Sequence, residues 1–198
     1  MSPEGSYHIY NHANGYENLF VERSDYYSFL SRITRFILPA CRIFSYGLMP
    51  NHFHLVAQIR NEKLLRELWQ SGHSLPKLTE KQIELKISKA FSNLFSSYTQ
   101  SFNNTYERIG SLFIPSMKTS ELYTENDICK AIHYSHANPV HHGFTKKMED
   151  WTHSSYNSYL SNKPTKLEKQ FVLDLFGGLE RFIEYHKQPI ELKSYYFD

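Results

Sequence analysis

His52-Phe53-His54 lies in a run of strand-forming residues. Side chains alternate along a strand, so both imidazoles face one side while Phe53 and Leu55 face the other. Two histidines on one face, one residue apart, can hold a single divalent cation. The plainer alternative is a pair of hydrogen-bonded surface histidines. A second set follows much further along the chain, in Ile132-His133-Tyr134-Ser135-His136-Ala137-Asn138-Pro139. Helical spacing places Ile128, Ala131, Ile132 and Ser135 on one apolar stripe, with Tyr134 and Asn138, four apart, along its flank. A tyrosine there is held at the edge of the core while its hydroxyl can still reach a substrate, although most such tyrosines only pack. Asn138 either marks a helix stop before Pro139 or offers its amide oxygen to a metal already held by the histidines. His133 and His136 are expected to face solvent.

The elements that must carry these residues follow from pattern. Ser6 to His12 predicts a first strand, and Asn14-Gly15 a turn. Tyr26, Tyr27, Phe29, Leu30, Ile33, Phe36 and Ile37 recur at helical spacing, with Ser24 as N-cap and Pro39 as terminator. Arg42 to Leu48 and His52 to Ile59 form a hairpin about Met49-Pro50-Asn51. The stretch 61–80 is polar, with a short helix and a loop around Gly72 and Pro76. A long helix spans Lys81 to Tyr106, and a short strand is expected within Phe113 to Glu121. Thr124, with Asp127 three residues on, caps a helix that should end near Ala137 because Pro139 disfavours helical geometry at Asn138. The order strand, helix, strand, strand, helix, strand, then an extra helix, is the split βαβ pattern of an α+β, ferredoxin-like antiparallel sheet. Helices are expected on one face, with the tyrosine helix added. Residues 1–145 then form the domain that carries the candidate residues, and 146–198 a helical C-terminal extension of undefined role.

Composition narrows the function classes. The 22 Lys+Arg against 20 Asp+Glu give a net charge of +2, which excludes a polybasic, duplex-coating protein and leaves only a local nucleic-acid patch. No run approaches the ~20 apolar residues of a membrane span, and Met1 to Gly5 begin no secretion signal. Cys41 and Cys129 lack Cys-x-x-Cys spacing and read as buried thiols of a cytoplasmic protein. Aromatic residues make up 16% of the chain, with 15 Tyr, and there are 11 His. Both residue types pack as readily as they react, so the excess alone assigns nothing.

Met-Pro-Asn-His-Phe-His-Leu-Val at 49–56, taken with Ile-His-Tyr-Ser-His-Ala-Asn-Pro-Val-His-His-Gly at 132–143, resembles the single-tyrosine HUH transposases. Gly110-Ser111-Leu112-Phe113 and Trp151-x-x-Ser154-Ser155-Tyr156 point to the branch of REP-associated tyrosine transposases. The resemblance spans roughly residues 6 to 160. It implies that His52 and His54 are metal ligands on a strand and that Tyr134 is the nucleophile on a helix. It also implies that Asn138 is the third ligand, where insertion-sequence relatives usually carry Gln.

On that reading Tyr134 attacks a phosphodiester of single-stranded DNA, beside a hairpin, and forms a 5′-phosphotyrosine with release of a 3′-hydroxyl. A second 3′-hydroxyl then reverses the attack. An ordinary tyrosine, with pKa ~10, is a poor nucleophile at neutral pH. A divalent cation, Mg²⁺ or Mn²⁺, would polarise and orient the phosphate. No nucleotide cofactor is required, and no Gly-rich phosphate loop is present. Aromatics could stack on unpaired bases. Lys118 and Lys130, with Lys146 and Lys147, are candidate phosphate contacts, although any one of them reads more readily as a solvated surface lysine. The resemblance allows a monomer or a homodimer that exchanges the tyrosine helix. The rival readings are a non-catalytic nucleic-acid-binding module of the same fold, a larger relaxase-type nuclease, and a hydrolytic metalloenzyme using the His pair alone.

Overall fold

The computed structural model describes residues 1–70 and 77–190. The expected loop around Gly72 and Pro76 lies outside the described residues, apart from its flanks. Strands β1 (Ser6–His12), β2 (Cys41–Met49), β3 (His52–Ile59) and β4 (Lys118–Leu122) form one antiparallel sheet in the order β2-β3-β1-β4. The ferredoxin-like sheet read from the element order is therefore the one observed. Pairing of Met49 with His52 leaves Pro50-Asn51 as the hairpin turn, as expected. The last strand starts later than the sequence suggested. Phe113 makes only an isolated bridge to Ala13, and pairing with β1 begins at Lys118.

Helix α1 (Arg23–Arg32) continues into a π turn (Ile33–Ile37), and α2 (Glu62–Trp69) and α3 (Glu80–Thr105) follow β3. Ser24 is not the N-cap of α1. Glu22 takes that place, and the Asp25 carboxylate accepts the Val21 and Glu22 N–H groups, each at 2.9 Å. A carboxylate in the first turn both satisfies these orphan donors and complements the helix dipole. One apolar core lies between α1, α3 and one face of the sheet. Phe29, Ile33, Ile87, Phe91, Leu94 and Tyr98 meet Ile9, Phe53, Leu55 and Leu48 there.

Helix α4 (Glu125–His141) crosses the opposite face. Thr124 caps it in the expected box, its hydroxyl accepting the Asp127 N–H while the Asp127 carboxylate accepts that of Thr124. The helix does not stop at Ala137: it runs through Pro139 to His141. An interior proline costs an isolated helix roughly 3 kcal/mol, so tertiary cover must offset it. Pro139 has no N–H to bond the Ser135 carbonyl one turn earlier. That carbonyl instead abuts Gly47 of β2, where a Cβ would lie only 2.2 Å from the oxygen. Beside it the Ser45 and Ser135 hydroxyls hydrogen-bond at 2.7 Å.

The cover comes from the C-terminal part. Helices α5 (Tyr156–Leu160), α6 (Lys169–Phe176) and α7 (Leu179–His186) bury Tyr156, Tyr159, Val172, Phe176 and Phe182 against Ile128, Ala131 and Ile132 of α4 and Phe44 and Val56 of the sheet. Trp151 Nε1 donates to the Leu48 carbonyl at 3.0 Å. Residues 146–190 therefore share a core with the sheet and the tyrosine helix. Gly177 and Gly178, with φ of 78° and 111°, make the turn between α6 and α7 in a region that glycine enters freely. Both cysteines are free and buried. No described helix is long and apolar enough to cross a membrane.

Candidate functional site

Two elements meet at the site, β3 and α4. From β3 come His52 and His54, both buried, on the face opposite Phe53 and Leu55 as their alternation requires. From α4 come Tyr134, 2% exposed, and Asn138, fully buried. The His54 and Tyr134 rings meet edge to face with centroids 5.2 Å apart. The Asn138 Oδ1 lies 2.9 Å from His52 Nε2. All four sequence-predicted residues thus come together within one chain. Gly47 helps set their depth, because it pairs with His54 across the hairpin while its bare Cα accepts the close approach of α4.

The polar arrangement indicates what the site could hold. The Asn51 Oδ1 faces His52 Nδ1 at 2.8 Å, which favours the proton on Nδ1 and a lone pair on Nε2. Asn138 then presents an oxygen to that lone pair, and its Nδ2 has no hydrogen-bond partner among the described residues. Turning the Asn138 amide over would make an ordinary N–H···N bond but leave the oxygen buried and unsatisfied instead. His54 Nε2 is also buried without a hydrogen-bond partner among the described residues. Burial, reinforced by His8, His52, His12 and His142, holds His54 well below the usual histidine range, so it is neutral and able to act as a ligand. Two ligands at right angles, each about 2.1 Å from a six-coordinate ion, stand about 3 Å apart, close to the separation found between Nε2 and Oδ1. These residues fit a divalent cation. The third donor is an amide, and among the described residues no group of three His, Cys, Asp or Glu side chains is arranged to hold a metal.

The sequence reading missed part of this site. His8, Tyr10 and His12 of β1 face the same side as His52 and His54. His8 Nε2 lies 2.9 Å from His54 Nδ1, and the His12 ring stacks on His52 with centroids 4.8 Å apart. The signal was present as a period-two run with Tyr7 and Ile9 in the core and His8, Tyr10 and His12 opposite. His142, at the end of α4, adds an edge contact to His52 at 5.0 Å. Of the candidate phosphate contacts, Lys118 is exposed on β4. Lys130 is half-buried and lines a pocket of about 260 Å³ with His133, Tyr134, Tyr185 and residues 188–190. Lys146 and Lys147 are exposed beyond α4.

His133 and His136 do not face solvent. They are 6% and 0% exposed, because α7 covers that side of α4. His186 Nδ1 donates to the Phe182 carbonyl at 2.8 Å, leaving its Nε2 to accept from His136 Nδ1 at 2.9 Å. His136 Nε2 in turn meets the Ser155 hydroxyl at 2.7 Å. The two facing nitrogens cannot both carry a proton, so the pair cannot hold two charged rings. Burial lowers His133 to about 4 and His186 to about 3, and holds His136 well below its ordinary value. The unfolded chain binds these protons below its ordinary pKa of 6.5 while the folded protein does not. Their contribution is therefore complete above pH 6.5 and drains away as pH falls toward 4. Three such groups cost up to about 4 kcal/mol per pH unit, against a total stability of roughly 5–15 kcal/mol. Urea midpoints are accordingly expected to fall steeply between pH 6.5 and 5; a midpoint constant over that range would contradict the neutral-histidine packing.

No family profile matches the sequence, and no curated protein matches it. Solved structures do. One is a REP-associated tyrosine transposase determined bound to a REP hairpin, with a TM-score of 0.57 and 14% identity over 83% of this chain and 84% of that one. At that identity the likeness concerns the fold: this chain has the α+β architecture of a REP-associated tyrosine transposase.

Proposed function

We propose that this protein cuts and rejoins single-stranded DNA beside a hairpin through a covalent bond to Tyr134. The observation that carries the reading is the convergence of Tyr134, His52, His54 and Asn138 within one chain, with the tyrosine ring against His54. The fold likeness to a hairpin-bound transposase supports the substrate class. In the proposed reaction the Tyr134 oxygen attacks phosphorus and the bond to the 3′-oxygen breaks. The phenolic proton is released and the departing oxygen takes up a proton, leaving a 5′-phosphotyrosine and a 3′-hydroxyl. Attack by a new 3′-hydroxyl reverses these changes, so one phosphodiester replaces another. His52, His54 and Asn138 would hold Mg²⁺ or Mn²⁺, which when bound supplies charge to the phosphate and lowers the cost of attack. Asn51 fixes the His52 ring, and the shared core of α4 fixes the tyrosine. With nucleophile and ligands drawn from one chain, a single copy would make one cut.

The test is a denaturing gel of the protein with 5′- and 3′-labelled hairpin oligonucleotides carrying single-stranded flanks. A protein-linked band should appear only with label retained 3′ to the cut, should vanish with EDTA and should return on addition of Mn²⁺. Tight hairpin binding without any linked band across a library of flanks would instead favour a non-catalytic binding module. A band insensitive to EDTA would remove the metal from the proposal.

A further inference from the structure

Histidine ligands can bind a metal through either ring nitrogen, and the second nitrogen decides which one is available. His54 Nε2 is buried without a hydrogen-bond partner among the described residues. Its Nδ1 lies 2.9 Å from the Nε2 of His8, which is fully buried on the neighbouring strand β1. Strand register sets that pairing. Tyr10 stands directly opposite His54, so His8 reaches it diagonally, and the two rings lie nearly parallel at 16° with centroids 5.0 Å apart. Tyr10 stacks in turn on His8, with centroids 5.3 Å apart. His8 also meets the edge of Tyr134 at 5.9 Å. The side chain therefore touches a candidate ligand and the candidate nucleophile without occupying either position.

We propose that His8 is a positioning residue of the metal site: its Nε2 accepts the His54 Nδ1–H and so fixes His54 in the tautomer that presents Nε2 to the cation. The opposite arrangement, with His8 donating, would place the proton on His54 Nε2 and close that nitrogen to a metal. A histidine serves here where a carboxylate or backbone carbonyl commonly does. It holds the ligand without adding charge to a buried site. This inference rests on the metal-site reading above, and its test separates the two.

The first measurement is the tautomer of His54 in the metal-free, full-length wild-type protein, read from long-range proton–nitrogen NMR of ¹⁵N-histidine-labelled material. The expected spectrum shows Nδ1 protonated and Nε2 bare; Nε2 protonated would overturn the proposal without reference to any metal. The second is Mn²⁺ affinity by electron paramagnetic resonance in the absence of DNA. His8→Phe keeps an aromatic ring, though a larger one, and removes the acceptor; it is expected to weaken binding by about 10- to 100-fold. His8→Gln retains an acceptor at similar reach and should recover most of the loss. Equal losses in both variants, or none in His8→Phe, would show His8 to be packing alone. If the wild-type protein itself binds no Mn²⁺ that His52→Ala removes, the metal-site reading fails, and the tautomer measurement still decides what His8 does.

Discussion

Tyr134→Phe is expected to abolish the protein–DNA adduct while leaving the fold, hairpin binding and Mn²⁺ binding close to wild type. The substitution removes one hydroxyl and keeps the ring. The edge contacts with His54 and His8 and the packing against Tyr10 depend on that ring, so they survive. Loss of a single hydroxyl bond costs about 1 kcal/mol, a small part of the total. The chemical loss is of another order, because no other group can take the same place on α4. Among the described residues a second tyrosine beside His54 is Tyr10, with ring centroids 5.7 Å apart. A linked band that survives in Tyr134→Phe and disappears in Tyr10→Phe would move the nucleophile to β1. Adduct formation unchanged in both variants would end the tyrosine mechanism altogether.

The second large effect is expected at a residue with no reactive group. Gly47→Ala would place a methyl carbon 2.2 Å from the Ser135 carbonyl oxygen, a backbone atom that cannot rotate away. Overpacking a well-filled interior commonly costs about 1–3 kcal/mol and sometimes more. At this separation we expect the upper end, lowering Tm by about 5–10 °C in a domain of this size. The damage should also reach the site. Ser135 can give way only if α4 lifts from β2, and Asn138 then withdraws from His52. Mn²⁺ affinity and adduct yield should therefore fall together, at temperatures where circular dichroism still reports a folded protein. A Gly47→Ala protein with unchanged Tm and unchanged adduct yield would show that the contact is not a constraint. The pairing with Pro139 gives a further reading. The proline frees the very carbonyl that the glycine receives, so Pro139→Ala should restore the helical bond and loosen the seat on Gly47.

Much of this arrangement was legible in the chain because it depends on local spacing. Alternation in His52-Phe53-His54 fixed which way the imidazoles point, and four-residue spacing put Tyr134 and Asn138 on one flank. The capping box at Thr124 also needed only neighbours. What escaped depends on segments distant in sequence. His133 and His136 read as exposed because nothing within α4 reveals that α7 lies over them. Pro139 reads as a stop in the sequence because the sheet and the C-terminal helices that offset its cost are distant from it along the chain. The irregular alternation of β2 has a local cause that only the structure identifies. A bulge between Ile43 and Ser45 lets both Phe44 and Ser45 face α4. His8, Tyr10 and His12 were visible in principle. The periodicity of Ser6–His12 predicts a strand, but only its pairing with β3 shows that these side chains share a face with the histidine pair.

The covering of α4 on two sides has a consequence for how the molecule can open. The sheet holds one side through Gly47 and Ser45, and α5–α7 bury the other. Backbone amides in the 131–138 stretch should therefore be among the slowest in the protein to exchange with deuterium, opening only when the whole domain unfolds. The amides of Gln188 and Ile190, in the segment beside Tyr134 and outside this core, should exchange much sooner. Tyr134 is then a fixed post and not a moving arm. Whatever rearrangement the proposed strand exchange requires falls on the DNA and on the chain's outer residues, and each round begins with the tyrosine already in place.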